Sequence, residues 1–127
     1  MDLELYQENV MDHYKNPRGK KVMENATFSY TENNPLCGDE VTFYVRLDGD
    51  IIEEITFTGH GCAISLASAS LLIEYLKGKE VDAIKEVTDD KIKALLGVPI
   101  SHTRIKCALL SQKTVQKGLE EYNDTHN

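Results

Sequence analysis

Apolar residues recur along this chain with two different periods. Leu3, Tyr6, Val10 and Tyr14 fall on one helical face, with Leu5 and Asn9 on a neighbouring line, which predicts an amphipathic helix over Leu3 to Lys15. Pro17 disfavours helical geometry at Asn16, so Asn16-Pro17-Arg18-Gly19 ends it. A polar connector runs from Lys20 to Glu24, and the period then drops to two. Ala26 to Tyr30 alternates as an edge strand, and Glu32 to Asp39, rich in turn formers, reads as a loop. Val41, Phe43, Val45 and Leu47 alternate with Thr42, Tyr44 and Arg46. Asp48-Gly49-Asp50 signals a hairpin turn, and Ile51, Ile55 and Phe57 flank Glu53 and Glu54 in the strand that follows.

Beyond Gly59 the helical period returns. Leu66, Ala69, Ile73 and Leu76 share one face of a helix over Ser65 to Lys77, while Ala67, Ser68 and Ser70 are small enough to admit a close neighbour. Lys77-Gly78-Lys79 stops that helix. Val81 to Val87 is a short helix, and Thr88 caps another through Ile92, Leu95 and Leu96 to Gly97. Residues 98–103 form a loop. The last helix starts near Arg104 and runs to about Tyr122, leaving Asn123 to Asn127 as a frayed end. Helix, three strands, then several helices predict an α+β domain, a small three-stranded antiparallel sheet with helices packed on one face.

Composition narrows the function classes. The 127 residues suffice for one domain with a core, and no apolar run approaches the roughly 20 residues of a membrane span. Met1-Asp2-Leu3-Glu4 lacks a signal peptide's basic-then-apolar order, so the expected location is cytoplasmic, with no membrane contact. A net charge of −7 argues against a nucleic-acid partner, which would call for a basic face. Three widely spaced cysteines in such a chain argue against a disulfide framework.

The candidate chemistry centres on Gly59 to Ser70. Strand end, glycine turn, Cys62 and helix start place a thiol where the helix dipole and free N–H groups favour an anion. Cys37 and Cys107 also lie at element ends, 25 residues before and 45 after Cys62. Such spacing is unlike the paired cysteines of zinc fingers and ribbons, so unrelated buried cysteines remain one reading. The other is a metal centre. Gly38, Gly59 and Gly61 allow close approach beside Cys37 and Cys62, and Asp39 can add an oxygen, giving three thiolates and a carboxylate suited to zinc or iron. His60 and His102 lie near enough in sequence to be considered. His13 reads as a surface or packing residue, His126 as part of the tail, and Lys106 as either a cation beside Cys107, able to pair with Asp39, or a solvent-facing lysine.

Four segments together, Tyr6 to Arg18, Asn34 to Asp39, Gly59 to Ser70 and Arg104 to Ser111, resemble the NifU-like iron–sulfur assembly proteins, whose two main types are IscU and SufU. The resemblance covers nearly the whole chain and implies one NifU-like N-terminal-type scaffold domain over residues 1–127, with the SufE/NifU-like fold. It implies the ligands Cys37, Asp39, Cys62 and Cys107. It further implies a scaffold rather than an enzyme, on which a transient [2Fe–2S] cluster is built with sulfur from a cysteine desulfurase and passed to acceptor apo-proteins. The SufU type implies an alternative, tightly bound Zn2+ and a sulfurtransferase-type acceptance of persulfide sulfur; a structural zinc module is a further one. Marks of type are mixed. Lys106 precedes the third cysteine as in SufU, where the IscU type has histidine, yet the separation of Cys62 from Cys107 is too short for the SufU insertion. Ile100 to Arg104 replaces the chaperone signal of the IscU type, so an Hsp70-type chaperone is not expected as a partner.

Overall fold

Strands β1 (Phe28–Asn34), β2 (Asp39–Asp48) and β3 (Ile51–His60) pair in chain order as an antiparallel meander. The computed structural model describes residues 3–35 and 38–126, with the backbone alone for residues 3–7. Alternation in β2 translates directly into burial. Asp39, Val41, Phe43 and Val45 are buried on one face and the residues between them are half-buried. Asp39 thus continues the inward row whose other members build the core. Phe43 stacks on Phe57, ring centroids 6.0 Å apart, and Ile52 and Ile55 complete the layer. The outer edge of β3 is covered by the chain that follows the first helix, through Phe57 N–H donating to the Gly19 carbonyl at 2.9 Å.

Among the described residues, five helices follow the expected order: α1 (Leu3–Lys15), α2 (Ala63–Leu76), α3 (Ala83–Glu86), α4 (Asp89–Leu96) and α5 (Ile105–Thr125). Helix α2 is the central one. Ten of its residues, Ser65 to Ile73 and Leu76, are buried, because α1, α4, α5 and β3 all pack against it. Its small residues bring α5 close enough for Ser68 Oγ to donate to the Ala108 carbonyl at 2.7 Å. Helix α4 begins as its sequence dictates, with Thr88 Oγ1 accepting the Lys91 N–H, and ends on left-handed Gly97.

Beyond shifts of one or two residues at element ends, the structure differs from the sequence expectation in three places. Strand β1 runs to Asn34, because polar Thr31 to Asn34 still pair along β2, with Thr31 and Thr42 hydroxyls 2.6 Å apart. A bulge between Arg46 and Leu47 pairs Leu47 with Ile52, so Ile52 enters the core and Ile51 stays exposed. Helix α5 continues through residues expected to fray, and Tyr122 stacks on His126 at 4.2 Å. Among the described residues, no helix is long and apolar enough to cross a membrane.

His13 is a packing residue, 2% exposed at the α1–α2 contact. Its Nδ1 lies 2.7 Å from Ser70 Oγ, which also accepts the Arg18 backbone N–H at 2.8 Å. A hydroxyl oxygen that accepts from Arg18 directs its own proton to Nδ1, so the neutral imidazole fits this contact. Burial pushes the His13 pKa below its ordinary 6.5, Arg18 acts in the same direction, and Glu74 and Asp12 oppose. The unfolded chain therefore takes up this proton first. The contribution is fully present above about pH 6.5 and is lost as pH falls through the folded value. The urea midpoint is expected to fall between pH 7 and pH 5, with a smaller fall in His13→Gln.

Candidate metal centre

Three donors from three elements meet at one end of the sheet. Asp39 opens β2, Cys62 is the N-cap of α2, and Cys107 lies in the first turn of α5. A carboxylate oxygen of Asp39 and the two Sγ atoms all lie within 4.8 Å of one another. Strand register explains the meeting. Glu40 pairs with His60, so the start of β2 lies against the end of β3, and the turn beyond His60 delivers Cys62 beside Asp39. Asp39 and Cys107 are buried and Cys62 is half-buried. The donors line a recess of about 310 Å³ together with Gly38, Gly61, Thr103 and Arg104.

The carboxylate is tightly seated. Asp39 Oδ1 accepts the Cys62 backbone N–H at 3.0 Å, and Oδ2 accepts from Ser65 Oγ at 2.5 Å. Cys62 Sγ lies 3.8 Å from Oδ2. Cys62 itself offers α2 no side-chain cap, so Asp39 supplies the cap from another strand. A Cβ on Gly61 would lie 2.6 Å from Asp39 Oδ1 and 2.8 Å from its Cγ; only glycine leaves this room. The N-terminal ends of α2 and α5 both border the recess, and each carries partial positive charge that favours anionic groups there. The sequence reading assigned the helix end to the Cys62 thiol; in the structure its first N–H holds the Asp39 carboxylate.

The profile of the NifU-like N terminal domain matches residues 5–127. The chain belongs to the NifU-like N-terminal domain family. It is 42% identical to the zinc-dependent sulfurtransferase SufU of Bacillus subtilis, over 91% of this chain and 89% of that protein. That alignment spans 132 positions, more than the 127 residues here, so the relative carries residues within the matched span that this chain lacks. Identity is 33% with the iron–sulfur cluster assembly scaffold protein IscU 1 of Archaeoglobus fulgidus, over 93% of this chain and 76% of that one. The crystal structure of the SufU protein of Fervidobacterium islandicum AW-1 superposes with a TM-score of 0.73 at 32% identity, covering 94% of this chain and 99% of that one.

Three of the four ligand positions expected of a NifU-like domain, Asp39, Cys62 and Cys107, are thus brought together. The fourth, Cys37, lies outside the described residues. His60 and His102 are exposed and do not belong to the convergent group, and Lys106 is exposed to solvent. Sequence reasoning missed Ser65 as a site residue. Its signal was available: three residues beyond Cys62 on a helix, it shares the face of the thiol.

Proposed function

We propose that this NifU-like chain works in iron–sulfur cluster assembly. It acts as a scaffold that receives sulfur from a cysteine desulfurase, builds a [2Fe–2S] cluster on Cys37, Asp39, Cys62 and Cys107, and passes it to apo-proteins. The observation that carries this reading is the convergence of Asp39, Cys62 and Cys107 within 4.8 Å. The donor set fits the cargo: thiols suit iron–sulfur chemistry and zinc alike, and a carboxylate adds one harder ligand. The 3.8 Å between Cys62 Sγ and Asp39 Oδ2 is close to the spacing of about 3.6 Å that usual bond lengths give for sulfur and oxygen on one tetrahedral ion. Cys62, held in its turn, is the fixed ligand, and Cys37 and Cys107 are the ones that meet the sulfur. In the receiving step a thiolate of this chain attacks the outer sulfur of the desulfurase persulfide, that S–S bond breaks, and the desulfurase thiolate leaves.

A second reading, a zinc-dependent sulfur acceptor, is favoured by Lys106 before the third cysteine and by the 42% identity to the Bacillus protein. The same four residues would hold Zn2+, which supplies a Lewis acid that keeps its sulfur ligands as thiolates.

One reconstitution separates the two. The purified protein is assayed for bound metal, then given ferrous iron, a cysteine desulfurase and excess cysteine, whose thiol also supplies the electrons that reduce persulfide sulfur to sulfide, under anaerobic conditions. A cluster chromophore that transfers to an apo-ferredoxin supports the scaffold. Retained zinc with a persulfide on one cysteine supports the acceptor. Neither chromophore nor persulfide overturns both. In the scaffold case, Asp39→Ala is expected to slow cluster transfer, because it removes the most easily exchanged ligand; an unchanged transfer rate would contradict that role.

A further inference from the structure

The geometry points to a second activity of this centre: Cys62 and Cys107 act as a resolving pair that reduces accepted sulfur to sulfide. This rests on the sulfur-receiving reading above and deepens it with a source of electrons inside the chain. Sulfur taken from a persulfide arrives as sulfane sulfur, whereas a cluster is built with sulfide, so each sulfur must gain two electrons. Cys62 is half-buried and Cys107 is 3% exposed, and neither is in a disulfide. Their Sγ atoms lie within 4.8 Å of one another, at the starts of α2 and α5, and both residues line the recess of about 310 Å³. The residues are 45 apart in sequence, so packing of α5 on α2 makes the approach. Two bonds fix that packing at the pair itself: Ser65 Oγ lies 3.3 Å from the Cys107 carbonyl oxygen, and Ser68 Oγ donates to the Ala108 carbonyl at 2.7 Å. Rotation of the two side chains closes the remaining gap to the roughly 2.05 Å of an S–S bond.

The step balances. Sulfur is carried on Cys107 as a persulfide, and the Cys62 sulfur attacks the inner, Cys107 sulfur. The persulfide S–S bond breaks, hydrosulfide leaves with the Cys62 proton, and a Cys62–Cys107 disulfide forms. The two thiols have then lost two electrons, and the sulfane sulfur has gained them. Attack on the outer sulfur would only move the persulfide from Cys107 to Cys62. The short Sγ–Sγ separation sets Cys62 beside the inner sulfur, and hydrosulfide leaves the recess past exposed Thr103 and Arg104, which draws the reaction forward. The disulfide takes both sulfurs out of use as thiolate ligands. The resolved chain therefore takes up metal only after an external thiol, such as excess cysteine, has reduced it. Sulfur discharge and metal loading alternate on the same two residues.

The test uses the full chain, reduced, metal-free and anaerobic. The donor is a cysteine desulfurase carrying its persulfide and freed of excess cysteine. Wild type is expected to release about one sulfide per chain and to yield a Cys62–Cys107 disulfide peptide by mass spectrometry. Cys62→Ser is expected to keep the persulfide on Cys107 and to release sulfide about tenfold more slowly or less, because the neighbouring thiol is gone. Three outcomes overturn the inference: sulfide release from Cys62→Ser at the wild-type rate, a disulfide that joins either cysteine to Cys37, or a persulfide that persists in wild type. The wild-type peptide map decides the matter should the variant fail to fold. Failure of the parent reading looks different, since no sulfur would then pass from the desulfurase to any cysteine of this chain. Inorganic polysulfide then serves as the donor: a Cys62–Cys107 disulfide supports the resolving pair, and its absence overturns it.

Discussion

Gly59→Ala is expected to destabilise the fold by on the order of 3 kcal/mol, at the upper end for a single strained residue. Gly59 has φ +152°, a conformation that side-chain-bearing residues rarely adopt. It pairs with Val41 across the β2–β3 ladder, and a Cβ there would strike the Glu40 carbonyl oxygen and come within 2.9 Å of Val41 Cα. Both obstacles are backbone, so no rotamer change relieves them and the two strands must part. The affected pairs adjoin Asp39, so the carboxylate moves as well. With a urea slope of about 1–3 kcal/mol per M, the midpoint should fall by about 1–3 M. A midpoint within about 0.3 M of wild type would show that the ladder yields at this point more readily than its contacts indicate.

Gly61→Ala is expected to shift the balance: a loss of stability no larger than one hydrogen bond, and a large loss of metal. Gly61 carries no left-handed strain, and its missing Cβ faces a side chain rather than backbone. The added methyl would overlap Asp39 Oδ1 and Cγ and force the carboxylate off the Cys62 N–H. One charge-assisted hydrogen bond at a helix end is worth about 1–3 kcal/mol. Zinc affinity should fall by about 10- to 100-fold, the usual range when a ligand's support is removed. Competition against a chelator of known affinity measures it, and urea unfolding of the metal-free protein measures the other half. Wild-type affinity in this variant would mean that Asp39 reaches the ion from more than one orientation.

Much of this was legible in the sequence. The period-two row of β2 was legible through Val41, Phe43 and Val45, but Asp39, read as the end of a loop, proves to be the first inward member of that row, because it pairs with Asn34. The glycines around Cys62 announced a close approach, although only coordinates show that Gly61 yields its space to Asp39 and Gly59 to the Glu40 carbonyl. What the sequence left out is long-range: the bulge that exchanges Ile51 for Ile52, and the bond from Ser65 to an aspartate 26 residues earlier. Local propensity carries no information about partners at that distance. The all-round burial of α2 was hidden for a related reason. A helix surrounded by others loses its polar face, and only its small residues hint at the crowding.

The seating of the donors on β2, α2 and α5 has a consequence for how the chain is held closed. Asp39 and Cys62 are 23 residues apart, and Cys107 is 45 residues farther on. An ion gripping all three would close two loops at once, as a removable cross-link rather than a covalent one. Loading would then tighten the whole chain, unloading would slacken it, and a chain whose last helix had not docked would offer its cargo an incomplete grip.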